Sequence, residues 1–118
     1  MSTRREYDAH TMYWINDTGS DALSDQIVVA GTLVGVVNKD IPAGKRGLLE
    51  IDGGQRFPKA TGAMGQGVKV YWKAAGDPVD GEAGSGALTT VASGAVLAGR
   101  TLEAADENAP DVLIKLNG

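Results

Sequence analysis

The sequence VKVYWK at residues 68–73 indicates the fold class of this chain. Apolar and polar residues alternate before the two aromatics, and β-branched and aromatic residues are typical of strands. Similar segments occur at residues 32–37, 47–51, 95–102 and 112–116, with Gly-rich breaks between them. Several short strands at this spacing predict an all-β sandwich or small barrel.

Turn residues predict how some of these strands are connected. Residues 27–29 and 32–37 predict two strands on either side of Ala30-Gly31. The sequence DGGQ at residues 52–55 tolerates positive φ angles and predicts a hairpin, with residues 56–59 as its return strand. Pro58 lacks a backbone donor, which confines that return strand to a sheet edge or a bulge.

Glycines mark two further positions. Gly35 interrupts the strand predicted at residues 32–37, which predicts a bulge or a close backbone approach. Residues 60–67 are the one segment in which a helical turn is plausible, although Gly62 and Gly65 limit it to a turn or two. The predicted fold therefore contains at most one short helical turn.

The chain of 118 residues has the size of one domain. A change in composition, from charged and aromatic residues to β-branched runs separated by glycine, predicts an N-terminal arm at residues 1–21 and a single all-β domain at residues 22–118. The arm could pair as an edge strand through residues 12–15, or it could reach a neighbouring subunit. Its large aromatic residues and paired arginines are candidate contacts for a protein partner, although the aromatics could instead fold back onto the sheet. These candidates are Arg4, Arg5, Tyr7, Tyr13 and Trp14.

Composition excludes several function classes. The 15 acidic residues outnumber the 11 basic ones, and a net charge of -4 disfavours nucleic-acid binding. The absence of cysteine excludes disulfides and thiolate metal sites, and it fits a protein made in a reducing compartment. Residues 84–99 are too short and too interrupted by hydroxyl side chains for a membrane span, and residues 1–6 lack the features of a secretory signal.

Residues 39–46 partly match a phosphate-binding loop, because Gly44 and Lys45 reproduce its Gly-Lys pair. Lys39 replaces the required glycine, and Arg46 replaces the Ser or Thr that holds magnesium. Pro42 also removes a backbone donor from the segment that should cradle phosphate. A plain turn explains the segment better than a nucleotide site.

Other polar residues form only weak motifs. His10 is the sole histidine, and with Asp8 it could hold a metal or orient a base, but no second His or Cys accompanies it. Asp77, Asp80 and Glu82 could bind calcium weakly, yet solvated turn acids explain them better because the alternating ligands of a calcium loop are missing. We predict no catalytic residue, no metal site and no cofactor.

The adjacent aromatics Tyr71 and Trp72 could clasp a small ligand. On an alternating strand, however, one of them faces the core and the other faces the opposite side. A core anchor beside a surface or interface contact is the favoured interpretation, and no small-molecule substrate is predicted.

Several segments in a fixed order resemble a family of small tailed-phage and prophage head proteins. Some members of that family are labelled RecA/RadA-like phage recombinases. The resemblance covers about residues 22–118, and residues 1–21 depart from it. The segments are GTLVGV at 31–36, IPAGK at 41–45, FPKA at 57–60, GVKVYW at 67–72, AGR at 98–100 and VLIKLNG at 112–118.

The resemblance implies a capsid decoration or cement protein with an all-β domain of the tulip or barrel type. Such a protein sits on the virion exterior, commonly as a homotrimer, and clamps neighbouring copies of the major capsid protein. It has no catalytic residues. The alternatives are another virion component, such as a head-fibre base or a head-tail connection, and a nucleotide-dependent recombination factor. The incomplete phosphate loop and the acidic charge oppose the last of these.

Overall fold

The computed structural model describes residues 10–118, which form nine strands and no helix. The predicted all-β fold class is therefore confirmed. None of the described residues belongs to a helix that could cross a membrane. The strands are β1 Thr11–Ile15, β2 Ile27–Ala30, β3 Leu33–Val37, β4 Arg46–Glu50, β5 Gly54–Pro58, β6 Lys69–Lys73, β7 Ala87–Thr89, β8 Val96–Thr101 and β9 Asp111–Leu116.

Four strands form an antiparallel sheet in the order β1-β4-β3-β2. Strands β2 and β3 are joined at Gly31, whose φ of 65° suits a tight turn. A Cβ atom at Gly35 would lie 3.0 Å from Leu49 Cδ1, so the predicted close backbone approach is present. Strand β1 pairs with β4 along its whole length, which places residues 11–15 at the sheet edge.

The other five strands form a curled antiparallel sheet in the order β5-β9-β8-β6-β7. Its two outer strands approach each other, because Lys59, just after β5, bridges to Leu88 in β7. The amide of Ala60 donates to the carbonyl oxygen of Leu88 at 3.0 Å, a usual distance for a backbone hydrogen bond between strands. The sheet is therefore a half-barrel, and β5 with Pro58 lies at an edge, as predicted.

The hairpin predicted at residues 52–55 is wrong. Strand β4 belongs to the four-stranded sheet, whereas β5 pairs with β9 in the other sheet. Gly53 does adopt a positive φ of 89°, but the turn carries the chain from one sheet to the other. Positive φ angles thus predict the change of direction and not the pairing partner.

Residues 60–67 do not form the helical turn that the sequence allows. Their backbone groups bond to a distant loop instead, since the amide of Gly62 donates to Glu107 O and the amide of Met64 donates to Ala105 O, both at 2.9 Å. These long-range bonds satisfy the groups that a helix would have paired internally.

The larger hydrophobic core fills the half-barrel and continues onto the buried Val34 and Val36 of the facing sheet. At its centre Phe57 and Trp72 meet edge to face, with ring centroids 5.7 Å apart. Trp72 is buried and Tyr71 is half-buried, which agrees with the favoured prediction of one core anchor. A smaller core covers the outer face of the four-stranded sheet; its buried members are Ala22, Val28, Val37, Ile41 and Leu49.

A fully buried lysine lies at the junction between β5 and the loop before β9. Lys59 is completely inaccessible, and its Nζ donates to the carbonyl oxygens of Asp106 and Glu107 at 3.0 Å each. Burial lowers the pKa of Lys59, and the nearby carboxylates of Glu107 and Asp106 oppose that shift. Sequence reasoning did not identify this residue, because lysine is almost never fully buried.

Candidate interaction surface

The exposed side of β1 and β4 carries large apolar side chains. Tyr13 is 65% exposed and Ile15 is 61% exposed, although both belong to a paired strand. The antiparallel register places Tyr13 opposite Leu48 and Ile15 opposite Arg46, so these four side chains share one face. We call them the edge surface, since β1 is the outer strand of its sheet.

Arg46 lies over the ring of Tyr13, with its guanidinium carbon 4.3 Å from the ring centre. A cation above an aromatic face is attracted by the ring quadrupole, which orders both side chains. A guanidinium carries five N–H donors, which suit a carboxylate or a carbonyl oxygen of a partner. The edge surface therefore combines an apolar centre with a preorganised donor.

The backbone of β1 adds further binding groups. The amide of Ile51 donates to His10 O, and the amide of Asn16 donates to Lys45 O, both at 2.9 Å. In an antiparallel ladder this pattern points the backbone N–H and C=O groups of the alternate residues Thr11, Tyr13 and Ile15 away from β4. Within residues 10–118 no strand pairs with that outer side. Edges of this kind are normally protected by charge, proline or a bulge, and the sequence TMYWI contains no charged residue and no proline.

Asp52 ties the start of β1 to the second sheet. Its carboxylate bonds Lys115 Nζ at 2.9 Å and His10 Nδ1 at 3.0 Å. The hydrogen bond from Lys115, followed by those from the Gly53 amide and His10, lowers the pKa of Asp52 to about 2. Asn117 reinforces the same junction by donating to the carbonyl oxygens of Val34 and Ile51 at 2.9 Å. These contacts connect the start of β1 and the turn after β4 to the second sheet.

The predicted partner contacts fall into three groups. Tyr13 lies in the edge surface, whereas Trp14 is half-buried and packs with Met12 on the smaller core. Arg4, Arg5 and Tyr7 lie outside the described residues. A role for these side chains in partner binding stays a prediction. Arg46 and Leu48 were not identified from the sequence, because only the register of β1 against β4 brings them beside Tyr13.

The motifs considered for chemistry occupy ordinary structural positions. Among residues 10–118, the side chain of His10 bonds to Asp52 and to no hydroxyl group that it could activate as a nucleophile. The phosphate-loop-like segment is followed by β4, whereas a phosphate loop needs a helix there. The carboxylate of Asp77 accepts a hydrogen bond of 2.7 Å from the amide of Gly84. The described residues contain no group of three metal-ligating side chains.

Comparison with known proteins gives one match. A family model described as phage cement protein matches residues 7–116, nearly the whole chain. No curated protein and no solved structure matches. The matched region includes all nine strands and the edge surface.

Proposed function

Since the chain belongs to the phage cement protein family, we propose that it binds the outer surface of a tailed-phage head and stabilises the capsid lattice. The proposed partner is the major capsid protein. The proposed state on the virion exterior is a homotrimer, assembled after synthesis in the host cytoplasm, and the role is structural without catalysis. The family match over residues 7–116 carries this proposal.

The edge surface is the proposed contact with the capsid. Aromatic residues and arginine are enriched at protein interfaces, and they account for much of the binding energy there. Tyr13 supplies a large ring, and Arg46 orients it before binding, which lowers the entropy lost on association. The outward backbone groups of β1 offer hydrogen bonds beside these side chains.

Simultaneous binding of several copies would make the attachment strong even when each contact is weak. A trimer that engages several capsid subunits turns later contacts into intramolecular ones, with high effective concentration. Stabilisation of the head then follows from linkage: a protein that binds only the assembled lattice shifts the equilibrium towards that lattice. The acidic net charge fits the exterior better than the DNA-filled interior.

Copy number in the particle tests the proposed function. Quantitative mass spectrometry of purified virions should find the chain in a fixed proportion to the major capsid protein. A copy number matching a single ring at one vertex would instead indicate a connector or fibre base. Absence from the virion would reject the structural role and would direct attention to nucleotide and DNA binding.

A single substitution tests the proposed contact. Tyr13→Ala should weaken binding to purified heads that lack the chain by about thirtyfold, as expected for the loss of an aromatic anchor worth about 2 kcal/mol. Val91→Ala is the matched control, because Val91 is 60% exposed and lies outside the edge surface. Equal binding by the two variants, with unchanged melting temperatures, would exclude the edge surface as the contact.

A further inference from the structure

Three cations line up across the outer face of the half-barrel. In the antiparallel register Lys69 of β6 lies opposite Arg100 of β8, and Arg100 lies opposite Lys115 of β9. All three side chains are exposed. We call them the cation row.

The row is only partly neutralised. Lys115 pairs with Asp52 at 2.9 Å, whereas Arg100 donates to the carbonyl oxygen of Gly67 at 3.3 Å. No carboxylate within residues 10–118 forms an ion pair with Lys69 or Arg100. Like charges directly opposite each other on neighbouring strands are destabilising, so the row is costly unless an anionic partner covers it.

The chain itself carries the complementary charge. Outside the cation row only eight basic residues remain to balance 15 acidic ones. The loop between β6 and β7 contains Asp77, Asp80 and Glu82, all exposed, and none of them forms an ion pair in the described part of the chain. We call these three residues the acid loop.

Geometry separates the two charged regions within one molecule. Lys69 begins β6, and the acid loop follows the other end of that strand at Lys73. Five residues of strand span roughly 13 Å, which exceeds the reach of a direct ion pair. The opposite charges thus lie at opposite ends of one strand, an arrangement that suits contact between copies.

We propose that the cation row of one copy binds the acid loop of a second copy. Such a contact is heterologous, because different surfaces of the two copies meet, and it generates a closed ring when the rotation closes. The exposed Leu97 of β8 and the exposed Leu102, which directly follows that strand, lie on either side of Arg100 along the chain and supply apolar area to the contact. The inference rests on the proposed association of copies and names the surfaces that produce it.

Sedimentation velocity of the full chain tests the contact by charge reversal. The double variant Lys69→Glu/Arg100→Glu should weaken self-association by about tenfold or more, since attraction becomes repulsion at two positions. Each reversal removes two charge units, so the net charge falls from -4 to -8. Lys39→Glu/Lys45→Glu is the matched control, because it changes the net charge equally at exposed residues away from the row.

A charge swap separates the contact from a folding defect. Adding Asp80→Lys and Glu82→Lys to Lys69→Glu/Arg100→Glu should restore self-association, because the opposite charges meet again with their signs exchanged. Failure of the swap to restore association, equal weakening by the control, or a wild-type chain that stays monomeric would each overturn the inference. Head binding is measured separately on the same samples: self-association without head binding would reject the proposed function and leave this contact intact.

Discussion

The buried ammonium of Lys59 makes a specific prediction about stability. Lys59→Met keeps the apolar stem but removes the Nζ group that donates to the carbonyl oxygens of Asp106 and Glu107. These two bonds attach the end of β5 to the loop before β9, and Lys59 also bridges to Leu88. We expect the variant to fold with a weakened closure of the half-barrel.

The magnitude follows from the two hydrogen bonds. A hydrogen bond from a charged donor contributes about 1.5–3 kcal/mol, and part of that gain is offset by the cost of burying the ammonium. Because Asp106 and Glu107 are themselves exposed, water can reach part of this loop in the variant. A net loss of about 2 kcal/mol is expected, which lowers the melting temperature of a domain of this size by roughly 8 °C.

The pH dependence of this loss has a definite sign. Burial lowers the pKa of Lys59 below its ordinary value of 10.5. Between the folded-state pKa and 10.5 the unfolded chain holds more protons, so raising the pH through this window stabilises the folded wild type. Lys59→Met lacks that gain, and its deficit in unfolding free energy should widen as the pH approaches 10.5.

Urea denaturation at several pH values measures both effects. Lys39→Met is the matched control, because Lys39 is exposed and its substitution should change the stability by less than about 0.5 kcal/mol. A Lys59→Met variant as stable as the control, or a deficit that shrinks with rising pH, would refute the assigned role of the buried ammonium.

Two further substitutions test the junctions between strands. Gly99→Ala would bring a Cβ atom into the carbonyl oxygen of Lys115 at a φ of 155°, so β8 must shift. A loss of more than about 2 kcal/mol is expected in thermal unfolding, and an unchanged midpoint would contradict the close approach. Asp52→Asn removes a carboxylate whose pKa is lowered from 3.8 to about 2; its stabilisation is present above pH 3.8 and is lost as the pH falls towards 2, so wild type and variant should converge in acid and differ at neutral pH. Parallel acid-denaturation curves for the two proteins would disprove that linkage.

The strands were predictable because the alternation of apolar and polar residues in the sequence matches the alternation of buried and exposed side chains along a strand. The alternation at residues 68–73 places Val70 and Trp72 inside the half-barrel, as the period of two requires. Sheet membership was not predictable in the same way: the turn at residues 52–55 has the expected positive φ, but long-range pairing with β9 outweighs a local hairpin. A glycine-rich turn restricts the backbone angles without choosing the partner strand.

The candidate surfaces required register as well as strand identity. Tyr13 could be selected from its aromatic character, but Leu48 and Arg46 become its neighbours only through the pairing of β1 with β4. The cation row is equally invisible in the sequence, because Lys69 and Arg100 are 31 positions apart and meet only across β6 and β8. Surface function in a sheet protein is therefore a property of cross-strand pairs.

The two proposed surfaces lie on different sheets, so each can be altered by a substitution that leaves the other surface unchanged. The edge surface belongs to the four-stranded sheet and the cation row to the half-barrel. They are linked through Asp52, which contacts His10 beside β1 and Lys115 in the row. Because Tyr13→Ala and Lys69→Glu both leave that link untouched, the first should impair head binding with self-association retained, and the second should weaken association between copies with the edge surface intact. A Tyr13→Ala variant that lost both activities equally would mean that one surface serves both contacts, whereas Lys69→Glu should also lower head binding because fewer copies then bind together.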